Sequence, residues 1–145
     1  RPPQNSSPWD SKAAGLYMIC TLSKHQAEKE GFTDSLMLDH EGNVAEATSA
    51  NIFFKDQNNK LHTPIPDSFL DGITRKTVID LAKSKNIQVN ERKISPAELS
   101  KFEGCFITGT AAEITPVSCI NDNKYKVCDL ILDLSKSYED LVGKN

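Results

Sequence analysis

The chain has 145 residues, which is enough for one domain with a single hydrophobic core, and a second domain of ordinary size is not expected. Its 17 basic and 20 acidic side chains give a formal net charge of −3 without a long run of either sign, which argues against nucleic acid and membrane surfaces as partners. The longest nearly apolar run, "GLYMICTL", is too short to cross a bilayer, so we expect a cytoplasmic protein.

The N-terminal half begins with a proline-rich stretch, which predicts an extended linker over residues 1–11 ahead of a domain over residues 12–145. The segment "AAGLYMICTLSKHQAEKEGF" then predicts a helix that stops at Gly31. Four side chains share the apolar face of this helix: Leu16, Ile19, Cys20 and Leu22. The runs "DSLMLD", "NVAEAT", "NIFFKD" and "KLHTPI" are separated by turn residues and predict strands.

The C-terminal half contains two longer amphipathic patterns. "GITRKTVIDLAKSKN" predicts a helix with Ile73, Val78, Ile79, Leu81 and Ala82 mostly on one face. "SPAELSKF" predicts a short helix with a capping box, "IQVNERKI", "GCFITGT" and "EITPVSCI" predict strands, and "VCDLILDLSKSYEDLV" predicts a final helix. The apolar face of that helix comprises Val127, Leu130, Ile131, Leu134, Tyr138 and Leu141. Because strands and helices do not alternate strictly, we predict an α+β domain with a mixed, largely antiparallel sheet flanked by helices. Four widely spaced cysteines predict reduced thiols and no metal site.

The stretch "SFLDGITRKTVIDLA" places a glycine directly before a helix, where it lets the backbone turn sharply. The first amides of a helix have no acceptor within it. The amides of Ile73 and Thr74 and the hydroxyl of Thr74 therefore suit a phosphate group. The alternative is that the side chain of Asp71 or Thr74 caps the helix.

The stretch "TGTAAE" between two strands offers a second backbone site for an anion. Gly109 can adopt dihedral angles that other residues avoid, and the small residues Thr110, Ala111 and Ala112 would let a ligand approach. The alternative is an ordinary tight turn. Two such sites suggest a ligand with two anionic groups, or a phosphorylated cofactor beside a carboxylate substrate.

Glu46 lies among small and apolar residues in "VAEATSANIFF", so a strand could carry its carboxylate inward. A buried carboxylate needs a cationic or proton-donating partner. The alternative is a solvated glutamate at a strand edge.

The segments "SKAAGLYMICTL", "VAEATSANIFF", "HTPIPDSFLDGITRKTVIDLA" and "FITGTAAEITPV", from Lys12 to Val117, resemble the successive signature segments of branched-chain amino-acid aminotransferases. These are fold-type IV enzymes of branched-chain amino-acid biosynthesis that use pyridoxal 5'-phosphate, and the resemblance implies their C-terminal, large domain. It also implies, for the full-length protein, a homo-oligomer that exchanges an amino group between leucine, isoleucine or valine and 2-oxoglutarate, which becomes glutamate.

The family's subunit has an additional N-terminal domain, which supplies a phosphate-binding arginine and the aromatic side chains that close the substrate pocket, and this sequence has no counterpart of it. We therefore expect this chain alone to be impaired or inactive, with cofactor binding weakened by about ten- to a hundredfold. The same fold also serves D-amino-acid aminotransferases and aminodeoxychorismate lyases, and an isolated domain without catalysis is a further alternative.

The resemblance implies roles around the cofactor ring. Lys12 matches the lysine that forms the Schiff base with the cofactor and moves the proton in the reaction. Tyr17 matches the tyrosine that hydrogen-bonds the phenolic oxygen, and Glu46 matches the carboxylate that faces the pyridine nitrogen. Asn51 and Arg75 belong to the same motifs and are expected to give structural support.

The resemblance also implies roles for both anion sites. Ile73 and Thr74 match the residues that cradle the cofactor phosphate, and the hydroxyl of Thr110 completes that cradle. The amides of Thr110 and Ala111 match those that hold the substrate carboxylate.

Overall fold

The computed structural model describes residues 1–143, so the last two residues of the predicted C-terminal domain lie outside it. The α-helices are α1 (Met18–Lys29), α2 (Ile73–Ser84) and α3 (Asp129–Leu141), and three 3-10 helices span Gln4–Ser6, Ala14–Tyr17 and Pro96–Lys101. The strands are β1 (Leu36–Leu38), β2 (Val44–Ala47), β3 (Asn51–Lys55), β4 (Leu61–Thr63), β5 (Val89–Glu91), β6 (Gly104–Gly109), β7 (Glu113–Pro116), β8 (Cys119–Ile120) and β9 (Asn123–Lys124).

Five strands form the main sheet in the order β5-β4-β3-β6-β7. Only β4 and β5 run parallel, because the chain passes through α2 between them, whereas the other neighbours are antiparallel. The pairs β1-β2 and β8-β9 form two small antiparallel sheets within the described residues. The prediction of an α+β domain with a mixed, largely antiparallel sheet is confirmed.

The central strand β3 is buried throughout, and its successive side chains enter two different clusters. Phe53 stacks on Phe106 of β6 with ring centroids 4.9 Å apart, in the cluster that includes α2 and α3. Phe54 faces the opposite side and stacks on Phe102, also at 4.9 Å. Since Asn51 lies two residues before Phe53, its side chain is on the face covered by α2.

Helix α1 forms as predicted and stops at Gly31, whose φ of 89° ends the helix. Its predicted apolar face is wrong for this chain, because only Cys20 is buried while Ile19 is 43% and Leu22 69% exposed. The principal neighbour of α1 is the short 3-10 helix that precedes it, so α1 does not cover the main sheet.

Helices α2 and α3 cover one face of the sheet, but the ends of their predicted apolar faces differ. Val78, Ile79 and Ala82 are buried, whereas Ile73 is 84% exposed because it lies about 140° around the helix axis from Val78. In α3, Ile131 and Leu134 are buried, whereas Val127 precedes the helix and Leu141, its last residue, is exposed.

The remaining predictions concern a short helix, the cysteines and membrane segments. The capping box forms: the hydroxyl of Ser95 accepts from the amide of Ala97 at 3.3 Å, and the carboxylate of Glu98 accepts from the amide of Ser95 at 2.9 Å. The helix it caps is of the 3-10 type.

All four cysteines are free thiols. In residues 1–143, no helix has the length and apolar character needed to span a bilayer, and no cluster of side chains could hold a metal ion.

Candidate functional site

Glu46 is buried in β2, with 4% of its surface exposed. Because both faces of β2 are covered, the strand carries the carboxylate inward, and the alternative of a solvated edge glutamate is wrong. Its partner is Arg1, whose Nε donates to Oε1 of Glu46 at 2.6 Å and whose Nη2 forms an ion pair with the same oxygen. The side chains of this pair are 4% and 5% exposed.

Arg1 also connects Glu46 to the segment that precedes α1. Its Nη1 donates to the carbonyl of Leu16 at 2.5 Å, and its guanidinium carbon lies 5.4 Å from the centre of the Tyr17 ring. Burial raises the pKa of Tyr17, and the charge of Glu46 raises it further. Glu46 and Tyr17, two predicted site residues, therefore both lie next to the guanidinium of Arg1.

Burial raises the pKa of Glu46 from its usual range to about 7, against the opposing effect of the Arg1 cation. An unfolded chain holds glutamate at a pKa of about 4.3. The folded protein therefore binds this proton more tightly than the unfolded chain does.

The free energy of unfolding should consequently depend on the ionisation of Glu46. The stabilisation is fully present below about pH 4.3 and is lost as pH rises through about 7, and it amounts to about 3–4 kcal/mol. Urea unfolding at several pH values should show this fall, and Glu46→Gln should flatten it. Glu98→Gln is the control, because Arg92 lowers the pKa of Glu98 and that group titrates below this window. An equal slope in Glu46→Gln and the unmodified chain would contradict the prediction.

Asn51 links Glu46 to the start of α2. Its Nδ2 donates to the carbonyl of Leu70 at 2.9 Å and lies 3.4 Å from Oε2 of Glu46, while its Oδ1 accepts from the amide of Gly72 at 3.1 Å. The side chain is 5% exposed. One buried amide therefore fixes the chain immediately before the helix and lies beside the carboxylate.

The start of α2 has no side-chain cap, so the alternative in which Asp71 or Thr74 caps the helix is wrong. Asp71 instead pairs with Arg75 at 2.9 Å. The first bond of the helix runs from the amide of Lys76 to the carbonyl of Gly72 at 3.1 Å. The amides of Ile73 and Thr74 therefore precede the hydrogen-bond ladder and remain suited to an anion.

Gly72 is required for a different reason from the one predicted. Its φ of −63° and ψ of 146° are accessible to any residue, so backbone freedom does not explain it. A β-carbon at this position would lie 2.5 Å from Oδ1 of Asn51. The glycine lets Asn51 approach the backbone and accept its amide hydrogen.

We therefore expect Gly72→Ala to displace Asn51 and to lower the free energy of unfolding by about 1–3 kcal/mol, the cost of leaving a buried polar group unpaired. Chemical denaturation measures this directly. Gly15→Ala is a matched control, because a β-carbon at Gly15 meets nothing within 4 Å and its stability should barely change. Equal effects of the two substitutions would show that the contact with Asn51 is unimportant.

The turn between β6 and β7 carries the second predicted anion site, with Thr110 and Ala111 exposed. Gly109 does not use its conformational freedom here: the positive φ in this hairpin, 50°, belongs to Glu113. A β-carbon at Gly109 would meet the carbonyl of Ser49 at 3.6 Å, which is an ordinary contact. A residue with a side chain would therefore fit at position 109.

Strand register places both predicted anion sites at the same end of the sheet. Asn51, at the beginning of β3, is paired with Thr108 of β6, and its side chain contacts Gly72. The β6-β7 turn begins two residues after Thr108, so it lies beyond the same end of β3. The hydroxyl of Thr108 is fully buried and has no hydrogen-bond partner. A buried hydroxyl without a partner, beside an uncapped helix start, fits a polar ligand at this end of the sheet.

Lys12 is exposed and precedes the 3-10 helix Ala14–Tyr17, which carries Tyr17 and the carbonyl that Arg1 contacts. Within the described part of the chain, its amine forms no hydrogen bond or ion pair. The structure thus gathers Tyr17, Glu46, the start of α2 and the β6-β7 turn. Lys12 is connected to this group only by the backbone that runs from it to Tyr17.

Sequence reasoning missed Arg1. The need for a cationic partner of Glu46 could be anticipated, but the two residues are 45 positions apart and 17 basic residues offered no way to choose among them. The residues present fit an aromatic ligand with a phosphate tail: a carboxylate for a ring nitrogen, an uncapped helix start for the phosphate, and a free amine.

Comparison with known proteins gives concordant matches. The family model described as amino-transferase class IV matches residues 1–120. The chain is 42% identical over 138 residues to a protein of Rickettsia typhi named probable branched-chain-amino-acid aminotransferase, covering 92% of this chain and 48% of that protein. It is 34% identical over 142 residues to the branched-chain-amino-acid aminotransferase of Pseudomonas aeruginosa, covering 96% and 46% respectively.

Solved structures agree with these matches. The branched-chain aminotransferase of Thermoproteus uzoniensis with norvaline superimposes with a TM-score of 0.91 and 33% identity, covering 96% of this chain and 47% of that one. The enzyme of Thermobaculum terrenum in its PLP form gives 0.91 and 32%, covering 97% and 47%. The architecture is thus that of fold-type IV aminotransferases, and the chain spans about half the length of the relatives it matches.

Proposed function

Because this chain belongs to the class IV aminotransferase family, we propose that it carries the pyridoxal 5'-phosphate site of a branched-chain amino-acid aminotransferase. The observation that carries the proposal is the buried Glu46, which Asn51 links to the uncapped start of α2. It is supported by the matched enzyme of Thermobaculum terrenum, whose structure is of the PLP form.

Three residues would serve the cofactor ring. Lys12 would attach through its amine, which forms no hydrogen bond or ion pair in the described chain. The phenol of Tyr17 would donate to the ring oxygen, and the buried carboxylate of Glu46 would face the ring nitrogen. When bound, the cofactor supplies an electron sink for the carbanion at the substrate α-carbon. Glu46 would hold a proton at the ring nitrogen, and Lys12 Nζ, once the substrate amine has displaced it from the cofactor, would take the proton from the α-carbon as a general base.

The two backbone sites would hold the anionic groups. The amides of Ile73 and Thr74, with the hydroxyls of Thr74 and Thr110, bind the cofactor phosphate at the positive end of the helix dipole. The amides of Thr110 and Ala111 bind the substrate carboxylate. The hydroxyl of Thr74 lies 3.5 Å from that of Tyr138, so it can turn toward a phosphate at little cost.

We propose branched-chain L-amino acids as amino donors and 2-oxoglutarate as acceptor, which gives glutamate. The names of the relatives favour these substrates over those of D-amino-acid aminotransferases and aminodeoxychorismate lyases. Because the relatives are about twice as long, this chain alone is expected to turn over slowly or not at all. The cytoplasmic location and the homo-oligomeric state remain predictions, which cell fractionation and sedimentation at several protein concentrations would test.

Absorbance of the chain titrated with pyridoxal 5'-phosphate tests this function. We expect a visible band from the lysine-linked cofactor, which L-leucine bleaches in a single half-reaction and 2-oxoglutarate restores. Bleaching by D-alanine and not by L-leucine would transfer the proposal to the D-amino-acid enzymes. A spectrum equal to that of the free cofactor, at millimolar concentration, would contradict the cofactor site.

A further inference from the structure

The guanidinium of Arg1 is buried against Glu46, although a charged side chain is costly to remove from water. Each of its nitrogens has a partner: Nε and Nη2 contact Oε1 of Glu46, and Nη1 donates to the carbonyl of Leu16 at 2.5 Å. The guanidinium carbon also lies near the ring of Tyr17, 5.4 Å from its centre. A partner at every nitrogen holds this buried cation in a fixed position.

The two oxygens of Glu46 have different surroundings. Oε1 receives two nitrogens of Arg1, Nε at 2.6 Å and Nη2 through the ion pair. Oε2 has only a long contact of 3.4 Å from Nδ2 of Asn51. Since each carboxylate oxygen can accept two hydrogen bonds, Oε2 is the oxygen with the greater capacity for a further donor.

We infer that Arg1 is a positioning residue that holds Oε1 of Glu46, so that Oε2 faces the cofactor ring nitrogen and the proton between them stays on that nitrogen. The inference rests on the proposed function, because the ring is the group that Glu46 would face. A nearby cation lowers the proton affinity of a carboxylate. Oε2 of Glu46 and the ring nitrogen compete for one proton, and the lower proton affinity of the carboxylate leaves that proton on the nitrogen. A protonated ring is the stronger electron acceptor.

Arg1 supplies the positive charge next to Glu46. Burial raises the pKa of Glu46 to about 7, and the opposing contributions come from the guanidinium and the amino group of Arg1. The other titratable groups that interact with it are Tyr17 and Cys20, whose pKa values are raised by burial first and which are neutral near neutral pH. In the described residues, the cation that faces this carboxylate is therefore Arg1.

The first test needs no cofactor. Carbon-13 NMR of the labelled Glu46 carboxyl in the 145-residue chain should give a pKa of about 7, and Arg1→Gln should raise it by about one to three pH units. Arg1→Lys keeps the charge and should stay closer to the unmodified value. Arg92→Gln, which breaks an Arg–Glu pair with Glu98 elsewhere, should leave it unchanged. An unchanged pKa in Arg1→Gln would overturn the inference.

The second test follows the shared proton. Nitrogen-15 NMR of ring-labelled pyridoxal 5'-phosphate bound to the chain should show a protonated ring nitrogen, and in Arg1→Gln the proton should move to Glu46. Arg1→Lys should restore the protonated signal. A protonated nitrogen in Arg1→Gln, equal to that of the unmodified chain, would overturn the inference.

Failure to fold is also informative, because the effect of Arg1 must depend on the charge of Glu46. Arg1→Gln should be destabilised at about pH 8 and relieved at about pH 5, where Glu46 is protonated. Loss of folding at both pH values would show that Arg1 only fills space and would overturn the inference. Failure of the proposed function is separate: it appears as a spectrum equal to that of the free cofactor in the presence of the unmodified chain, whatever the carboxyl titration shows.

Discussion

We expect Lys12→Ala to abolish the visible band with pyridoxal 5'-phosphate and to slow the half-reaction with L-leucine by at least about 100-fold, the lower range for a positioned proton-transfer group. The reason is that Lys12 both attaches the cofactor and carries the proton at Nζ. Because its side chain is exposed and forms no hydrogen bond or ion pair in residues 1–143, the substitution should leave the free energy of unfolding almost unchanged.

The matched control is Lys29→Ala, which removes an exposed lysine at the end of α1. Its band and half-reaction should equal those of the unmodified chain. Absorbance titrations and single-turnover kinetics on the unmodified chain and the two variants measure the band and the rate of the half-reaction. A normal band in Lys12→Ala would move the attachment point to another lysine and remove the basis of the proposed site.

Arg75→Met should destabilise the fold strongly. Arg75 is 1% exposed and its guanidinium joins three segments: Asp71 at 2.9 Å, the carbonyl of Pro64 at 2.9 Å and Glu91 at 2.8 Å. Its carboxylate partners are 32% and 44% exposed, so the substitution does not leave them as buried charges, and losing the hydrogen bonds of the guanidinium costs about 1.5–3 kcal/mol. We expect a loss of that size in urea unfolding, together with weaker cofactor binding, since Asp71 lies directly before the start of α2.

A surface ion pair provides the control for this prediction. Lys85 pairs with Asp133 at 2.8 Å, but the side chains are 32% and 58% exposed. Such pairs contribute about 0–1 kcal/mol, so Lys85→Met should change stability by no more than that. If Arg75→Met cost as little as Lys85→Met, the three segments would be held by other contacts.

Local patterns in the sequence predicted most of the fold. The short run "NIFFKD" between turn residues correctly predicted a strand, and the 3.6-residue period in "KTVIDLA" correctly predicted a helix that buries one face. The inward direction of Glu46 was also predictable, since small and apolar neighbours surround it along β2. These properties depend on residues close together in the chain.

Properties that depend on distant residues could not be predicted. The apolar residues of α1 satisfy a helical pattern, but their burial depends on a partner surface, which no local pattern contains. The same applies to Arg1, which contacts Glu46 across 45 positions, and to Gly72, which is explained by its contact with Asn51 across 21 positions. Sequence motifs identified Asn51 and Gly72 as important, while only the geometry gave the physical reason.

Lys12, Glu46 and two backbone sites should converge on one phosphorylated aromatic cofactor. A crystal structure of the chain with pyridoxal 5'-phosphate would test this arrangement. We predict continuous density from Lys12 Nζ to the cofactor, a ring nitrogen about 3 Å from Oε2 of Glu46, and the phosphate at the amides of Ile73 and Thr74. A cofactor attached at a different lysine, or a phosphate away from the start of α2, would contradict it.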